Sequence, residues 1–146
     1  MNWLELVATV CGATLGTPQL ARNIDTVATE YKVDRTLILS VVWGESRCKP
    51  EAHGKSDDRG LMQVVPKWHG RRMARLGVTN LFDPLQNLRT GTDFLSALGV
   101  TEDPVHALAT YNGGFTPPSR SYSYANSVLL RKKEYDLLLI QDKAGS

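Results

Sequence analysis

The chain has little of what marks several common functional classes. It holds 2 cysteines in 146 residues, Cys11 and Cys48, with neither a CxxC pair nor zinc-ligand spacing. Both lie in apolar segments and read as small buried hydrophobes, with a single disulfide between them as the alternative. Its 3 histidines, His53, His69 and His106, are scattered and lack the i,i+4 spacing of a helical metal pair, so no metal is expected. The longest basic run is "RKK" at 131–133, which reads as a solvated helix face. With a net charge of +2, the chain lacks the footprint of a nucleic-acid partner. No apolar stretch reaches the roughly 20 residues that cross a bilayer, so no membrane insertion is expected. Strand-type alternation never persists, which argues against a sheet.

What is present is an ordinary globular composition, 42% hydrophobic and 22% charged, with no internal repeat and no linker. Residues 1–146 are read as one domain, long enough to bury roughly two-thirds of the surface of the unfolded chain. The opening "MNWLELVATVCGATLG" is apolar and ends in small residues. Glu5 interrupts it and no Lys or Arg precedes Arg22, whereas a secretory signal wants a positive start and an unbroken apolar core. Trp3, Val7, Val10 and Leu15 repeat at helical spacing. An amphipathic first helix is therefore expected, with a cleaved signal as the alternative.

Helix punctuation recurs along the chain. Thr17 and Pro18 open a helix whose inner face is Leu20, Ile24, Val27 and Tyr31. Asp34 caps the next, "RTLILSVVWGES", with Leu37, Ile38, Val41 and Val42 inward; apolar almost all round, it should be the central, most buried helix. Residues 46–59 are polar with Pro and Gly and read as a loop. "PKWHGRRMARLG" is a short helix closed by Gly77. Asp83-Pro84 and Asp103-Pro104 open two more, the second ending at Gly113-Gly114. Residues 115–121 read as a loop, and a last helix runs to Ile140 with a frayed tail beyond. The expected fold class is all-α, with six to eight helices.

Within this frame Glu45 is out of place. It follows an apolar run at the C-terminal end of the most buried helix. Desolvation and the negative end of the helix dipole both favour its protonated form there. That is what a general acid working near neutral pH requires. The bland alternative is a structural carboxylate that caps the helix or pairs with Arg47 or Arg59.

Other segments bear on that choice. "ESRCKPEAHGKSDDRGLMQVVP" carries Glu45-Ser46, Pro50, Gly60-Leu61-Met62-Gln63 and Pro66. "FDPLQNLRTGTDFLSAL" carries Asp83, Pro84, Asn87, Leu88, Gly91, Phe94 and Leu95. "ALATYNGG" and "YANSVL" follow. In order and separation these resemble the motifs of the lysozyme-like lytic transglycosylases, which share the goose-type lysozyme fold. The resemblance runs from about residue 24 to about residue 130. It implies a lysozyme-like domain with a substrate cleft that cleaves the MurNAc-(β1,4)-GlcNAc bond of peptidoglycan glycan strands. Glu45 would first protonate the glycosidic oxygen. It would then take the proton of the muramic acid C6 hydroxyl, which closes on C1 as a 1,6-anhydro ring. The nucleophile belongs to the substrate, so one carboxylate suffices and no cofactor is needed.

The resemblance also implies the rest of the site. Gln63 would hydrogen-bond sugar across the cleft, Tyr111 would pack on sugar and Asn112 would hydrogen-bond it. Tyr124 would set its hydroxyl beside Glu45. Met62 is a candidate sugar contact, set against a core reading. Ser46 is read as bracing the turn.

The chain departs from the family pattern in three places. Gly54 stands where many members have serine, with Ser56 a candidate replacement. Cys48 stands where an aromatic is usual. Asp58 falls where goose-type lysozymes place an aspartate, although their second falls at Val65. Asp58 or its neighbour Asp57 could thus activate water, giving hydrolysis as the alternative outcome; a solvated pair balanced by Lys55 and Arg59 is the bland reading. A non-catalytic glycan-binding or structural part of a virion or secretion apparatus is the competitor from another class. The expected setting is the bacterial cell wall, reached as a monomer, with a phage virion or lysis product as the leading match and an enzyme of a secretion or conjugation apparatus as the alternative.

Overall fold

The computed structural model describes the backbone of residues 1–145 and the side chains of residues 1–140. Seven helices make up the described chain: α1 (Trp3–Leu15), α2 (Pro18–Tyr31), α3 (Arg35–Ser46), α4 (Pro66–Leu76), α5 (Pro84–Ala97), α6 (Pro104–Gly113) and α7 (Ser119–Gly145). Among the described residues the extended pairing is limited to two isolated bridges, His53 with Arg59 and Arg59 with Val64. The class is all-α, as expected. The last helix was expected to end at Ile140 with a frayed tail, but the backbone of α7 stays helical to Gly145.

The helix starts follow from local chemistry. Proline opens α2, α4, α5 and α6, where its missing N–H would have had no partner in any case. Thr17, Asp83 and Asp103 accept from the backbone N–H three residues on, at 3.1, 3.0 and 3.3 Å. Asp34 holds the cap position of α3 but makes no such bond. Its carboxylate instead meets Lys132 Nζ at 3.3 Å. Helix α7 begins at Ser119, so the loop expected over 115–121 is shorter. Pro117 and Pro118 end that loop, and the chain can turn helical directly after them.

Helix α3 is the hub. Every residue from Thr36 to Val42 is buried, and the helix packs against α7 and α2. Leu39, Leu88, Leu95 and Leu108 are among the large side chains withdrawn completely from solvent, each contributing roughly 1.5–3 kcal/mol by burial. The polar residues within this hub find partners: Ser40 Oγ donates to Val128 O at 2.7 Å and Thr36 Oγ1 to Asp136 at 2.6 Å.

Helix α1 joins the core through Trp3, Leu6 and Val7, with the Trp3 indole N–H donating to Ala21 O at 2.9 Å. The regular inner face expected to reach Val10 and Leu15 is interrupted. Gly12 takes φ +84 and kinks the helix, a conformation open to glycine at little cost. Beside that kink the reading of the cysteines is corrected: Cys11 and Cys48 form a disulfide, with Cα atoms 5.7 Å apart. The bond ties α1 to the chain immediately after α3.

Helix α4 contributes no buried residue to the core. It is held by one carboxylate, Asp93 of α5, which is 7% exposed. Asp93 accepts from Arg72 and Arg75 at 2.6 Å each and from the Tyr31 hydroxyl at 2.9 Å. Burial pushes the Asp93 carboxyl up, but those three donors outweigh it and hold its pKa below the usual carboxylate value.

Candidate active site

The buried stretch of α3 ends where its last turn emerges between α7 and the 47–65 loop, and Glu45 sits in that turn. Its Oε2 accepts a 2.6 Å hydrogen bond from the Tyr124 hydroxyl. Burial is the largest influence on its acidity and raises the pKa. The Tyr124 bond lowers it, the negative charge of Asp58 raises it again and Arg131 lowers it. The net effect is a rise from 4.5 to about 7. Neither partner of the bland reading engages Glu45. Arg47 donates to the carbonyls of Trp43 and Gly44 at 2.8 and 3.1 Å, and Arg59 forks onto Asp57 at 2.9 and 3.0 Å. Ser46 Oγ donates back to Val42 O at 3.0 Å and braces the turn.

Helix α7 presents two groups to Glu45. Tyr124 is one. Arg131, two turns further along, is the other, and it corrects the reading of "RKK" as a solvated face. Arg131 is half-buried, lies over the Trp43 ring at 5.0 Å and donates to Ser40 O at 3.1 Å. Glycine at position 44 admits it, since a Cβ there would lie 2.5 Å from Arg131 Nη2. Lys132 is likewise engaged, 2.7 Å from Asp136. Arg131 was absent from the residues singled out in the sequence. The seven-residue spacing from Tyr124, which puts both on one helix face, is the signal that could have found it.

The opposite side of the site is the 47–65 loop, whose irregular backbone needs outside partners. Asn87 of α5 supplies them while fully buried. Its Oδ1 accepts from Met62 N at 2.8 Å, and its Nδ2 donates to the carbonyls of Arg59 and Leu81 at 2.8 Å each. Gly60, at φ +74, must lack a side chain because a Cβ would collide with the Asn87 amide and Leu81 O. Gly91 does the same for Met62, whose Sδ would stand 2.5 Å from an added Cβ. Several motif residues thus build the loop rather than line a cleft.

The expected site residues divide accordingly. Met62 is withdrawn from solvent, and its carbonyl accepts from the Tyr111 hydroxyl at 2.6 Å; its side chain packs in the core. Tyr111 is half-buried against Phe94, ring centroids 5.4 Å apart. Burial first and then the Glu45 charge push the hydroxyls of both Tyr111 and Tyr124 well above the ordinary tyrosine pKa. Glu45, Tyr111 and Tyr124 therefore form one electrostatic group. Gln63 adopts φ +52, and its Nε2 donates within the loop to the carbonyls of Ala52 and Gly60 at 3.1 and 3.0 Å. Asn112 is exposed, with its Oδ1 accepting from Ser121 Oγ at 2.8 Å.

The two aspartates part ways. Asp57, at φ +63, turns out to Arg59 and to His53 Nε2 at 2.7 Å. Those two partners hold its pKa below the usual value. Asp58 turns the other way and adds its charge to the surroundings of Glu45. Its carboxylate lies against Gly54, where any Cβ would overlap it. Two departures from the family pattern, glycine at 54 and aspartate at 58, are therefore one feature: the first makes room for the second.

An all-helical domain thus holds a carboxyl group near a pKa of 7 beside a tyrosine hydroxyl, a group suited to general acid–base work. Residues 22–132 match the family described as Transglycosylase SLT domain, and the chain belongs to that family. It is also similar to the membrane-bound lytic murein transglycosylase E of Buchnera aphidicola subsp. Acyrthosiphon pisum (strain APS), 39% identical over 82 residues. The match covers 51% of this chain and 37% of that protein, so the chain spans well under two-thirds of the relative. No helix among the described residues is long and apolar enough to cross a membrane.

Proposed function

We propose that the protein is a peptidoglycan lytic transglycosylase in which Glu45 acts as acid and then as base. The observation that carries this reading is the Glu45 carboxyl itself. It is buried at a helix end, bonded to Tyr124 at 2.6 Å and raised to a pKa of about 7. At that pKa it can give its proton to the glycosidic oxygen of the MurNAc-GlcNAc linkage and, as carboxylate, accept one back near neutral pH. The second proton comes from the C6 hydroxyl of the same muramic acid. Its oxygen closes on C1 while the N-acetylglucosamine oxygen leaves with the first proton. Protons balance and no water is consumed.

Tyr124 orients the carboxyl and Arg131 limits how far its pKa rises, so that proton release stays accessible. Tyr111, fixed by Phe94 and the Met62 carbonyl, would pack its ring on sugar. Gln63 and Asn112 each keep polar atoms beyond the internal bonds described above and would take up sugar hydroxyl or acetamido groups. The enzyme acts on the bacterial cell wall, as a monomer. The phage or lysis setting drawn from the sequence gains nothing further from the fold.

One observation favours a second reading. Asp58 is near enough to Glu45 for its charge to be felt there and has space made for it by Gly54, so it could activate a water and turn the reaction into inverting hydrolysis. Asp57 is committed to Arg59 and His53. Mass spectrometry of muropeptides released by the native protein and by Glu45→Gln separates the readings. Products 18 Da lighter than reducing-end species, absent with the variant, are expected. Reducing-end products that depend on Asp58 would make the protein a lysozyme. Release unaffected by Glu45→Gln would remove Glu45 from its role, and no release by folded native protein would favour the binding or structural class.

A further inference from the structure

The outer face of α4 has no part in the chemistry described above, yet its composition is unusual for this nearly neutral chain. It carries Lys67, Trp68, Arg71, Arg72 and Arg75 with no acidic residue on the same helix. The single acid that meets it is Asp93, one carboxylate shared between two guanidinium groups. Positive charge is left over. Among the described residues Arg71 has no ionic partner, and Lys67 has only the ring of Trp68, 4.7 Å away. Trp68 is 70% exposed, an expensive way to place the largest apolar side chain unless something covers it. Lys67, Trp68, Gly70, Arg71, Arg72 and Arg75 surround an open depression of about 630 Å³.

This face is continuous with the site. His69 of α4 stacks edge-on against Phe94 at 4.6 Å, and Phe94 packs on Tyr111 at 5.4 Å. Arg72 covers Phe94 at 4.9 Å and bonds His69 Nδ1 at 3.0 Å. Two aromatic contacts therefore separate the basic face from the Tyr111–Glu45 group. A polymer bound beside Tyr111 would have α4 within reach.

We propose that this face binds the free carboxylates of the peptide stems that hang from the muramic acid residues of the glycan strand. The inference rests on the reading of the protein as a peptidoglycan enzyme. In that substrate the backbone sugars are uncharged, because the muramic lactyl group is amide-linked, and anionic charge resides in the stems. Lys67 and Arg71 supply the complementary charge, Arg75 the outward N–H groups left after its bond to Asp93, and Trp68 a flat apolar surface for the aliphatic part of a stem residue. A bilayer surface is the poorer fit. The other large apolar residues of α4, Met73 and Leu76, turn inward against the core, so the outer face lacks the apolar stripe by which a helix enters a headgroup layer.

The test uses the full chain carrying Glu45→Gln, so that turnover does not erode the target. Its binding is measured against insoluble peptidoglycan with intact stems, against the same strands stripped of stems by an amidase and then amidated at the lactyl carboxylate that this exposes, and against the free stem tripeptide. Adding Lys67→Gln and Arg71→Gln together should weaken binding to intact peptidoglycan and to the tripeptide by about tenfold at low ionic strength, an effect fading at high salt. Binding to stripped strands should be unchanged. Trp68→Ala should weaken tripeptide binding without altering its salt dependence. Thermal melting confirms that each variant is folded, which their exposure favours.

Equal binding of the charge variant and its parent to intact peptidoglycan would overturn the proposal. So would an equal loss on stripped strands, which would assign the face to sugar. A loss confined to anionic phospholipid vesicles or to DNA would overturn it in favour of those partners. If the native protein released no muropeptides but the charge-dependent tripeptide binding held, the catalytic reading would fail and the stem-binding face would stand.

Discussion

Replacing Glu45 by glutamine should make the protein more stable, by a margin that opens above pH 4.5 and is complete above about 7. In the unfolded chain the carboxyl titrates at its ordinary 4.5, and in the folded chain at about 7. Below pH 4.5 both states hold the proton and the group carries no electrostatic penalty. Between those values the unfolded chain has released its proton and the folded chain still binds it. Folding stability therefore falls with each pH step. Above about 7 both states are ionised and the loss is complete. A rise of that size, at about 1.4 kcal/mol per unit, amounts to roughly 3 kcal/mol.

Glutamine has nearly the same shape, can still accept from Tyr124 and never ionises. Glu45→Gln should match the native protein in urea unfolding at pH 4 and exceed it by about 2–3 kcal/mol at pH 8. In melting temperature the gain at pH 8 is about 6–12 °C for a domain of this size. Asp93 also titrates, but it is common to both proteins and cancels. A stability difference equal at the two pH values would refute the reasoning, since it would mean that desolvation of a charge is not what Glu45 costs the fold. A variant less stable at pH 8 would refute it more strongly.

Four further outcomes follow from the geometry. Tyr124→Phe removes a charge-assisted bond worth about 1.5–3 kcal/mol, so Glu45 should titrate higher still; the alkaline limb of the pH–rate profile for muropeptide release should move up by at least about one unit, and an unmoved limb would detach Tyr124 from Glu45. Asp93→Ala strands Arg72, Arg75 and Tyr31 together and should cost about 2–4 kcal/mol in urea unfolding at pH 7. Because the folded Asp93 pKa is depressed, the penalty should shrink as pH falls below the ordinary carboxylate value. Gly54→Ala should destabilise by about 1–3 kcal/mol through overlap with Asp58, and Asp58→Ala in the same chain should recover most of it; simple additivity of the two would contradict the contact. Cys48→Ser opens a cross-link spanning 37 positions and should lower stability by about 4 kcal/mol on the loop-closure account, with reduction of the native protein giving a similar fall.

Helix boundaries were legible where the sequence carries its own stop and start chemistry. Asp83-Pro84 and Asp103-Pro104 are local devices that need no tertiary help, and of the four predicted side-chain caps those at Thr17, Asp83 and Asp103 form while Asp34 turns to Lys132 instead. The central position of α3 was equally plain, since seven consecutive buried residues leave no polar face to expose. Glu45 stood out for the same reason, a carboxylate directly after a run that must be inside.

What failed to show depends on contacts between distant segments. The 47–65 loop has no periodicity, and its shape is set by Asn87 reaching back across the fold to residues 59, 62 and 81. Asp57 and Asp58 are adjacent and chemically identical in sequence; with a positive φ at Asp57, one carboxylate meets Arg59 and the other lies against Gly54, where its charge is felt by Glu45. The disulfide was hidden because an apolar neighbourhood describes a buried thiol as well as a buried cystine. The turn at Gly12 and the left-handed backbone at Cys48 are invisible to composition. Arg131 looked solvated because its triplet is basic, when the space that receives it is defined by the absence of a side chain at Gly44.

The bond from Cys11 to Cys48 closes α2 and α3 into a covalent ring, and Glu45 lies inside that ring three residues from its clasp. The consequence is mechanical. The acid-bearing side of the cleft cannot shift without dragging α1, α2 and the hub helix with it, so it is the anvil of the site. Outside that ring lie α4, held to α5 through Asp93 with Met73 and Leu76 turned to the core, and the short span before α7, where Phe115 stands 81% exposed. The proton donor of the proposed reaction thus sits on the covalently closed side of the site.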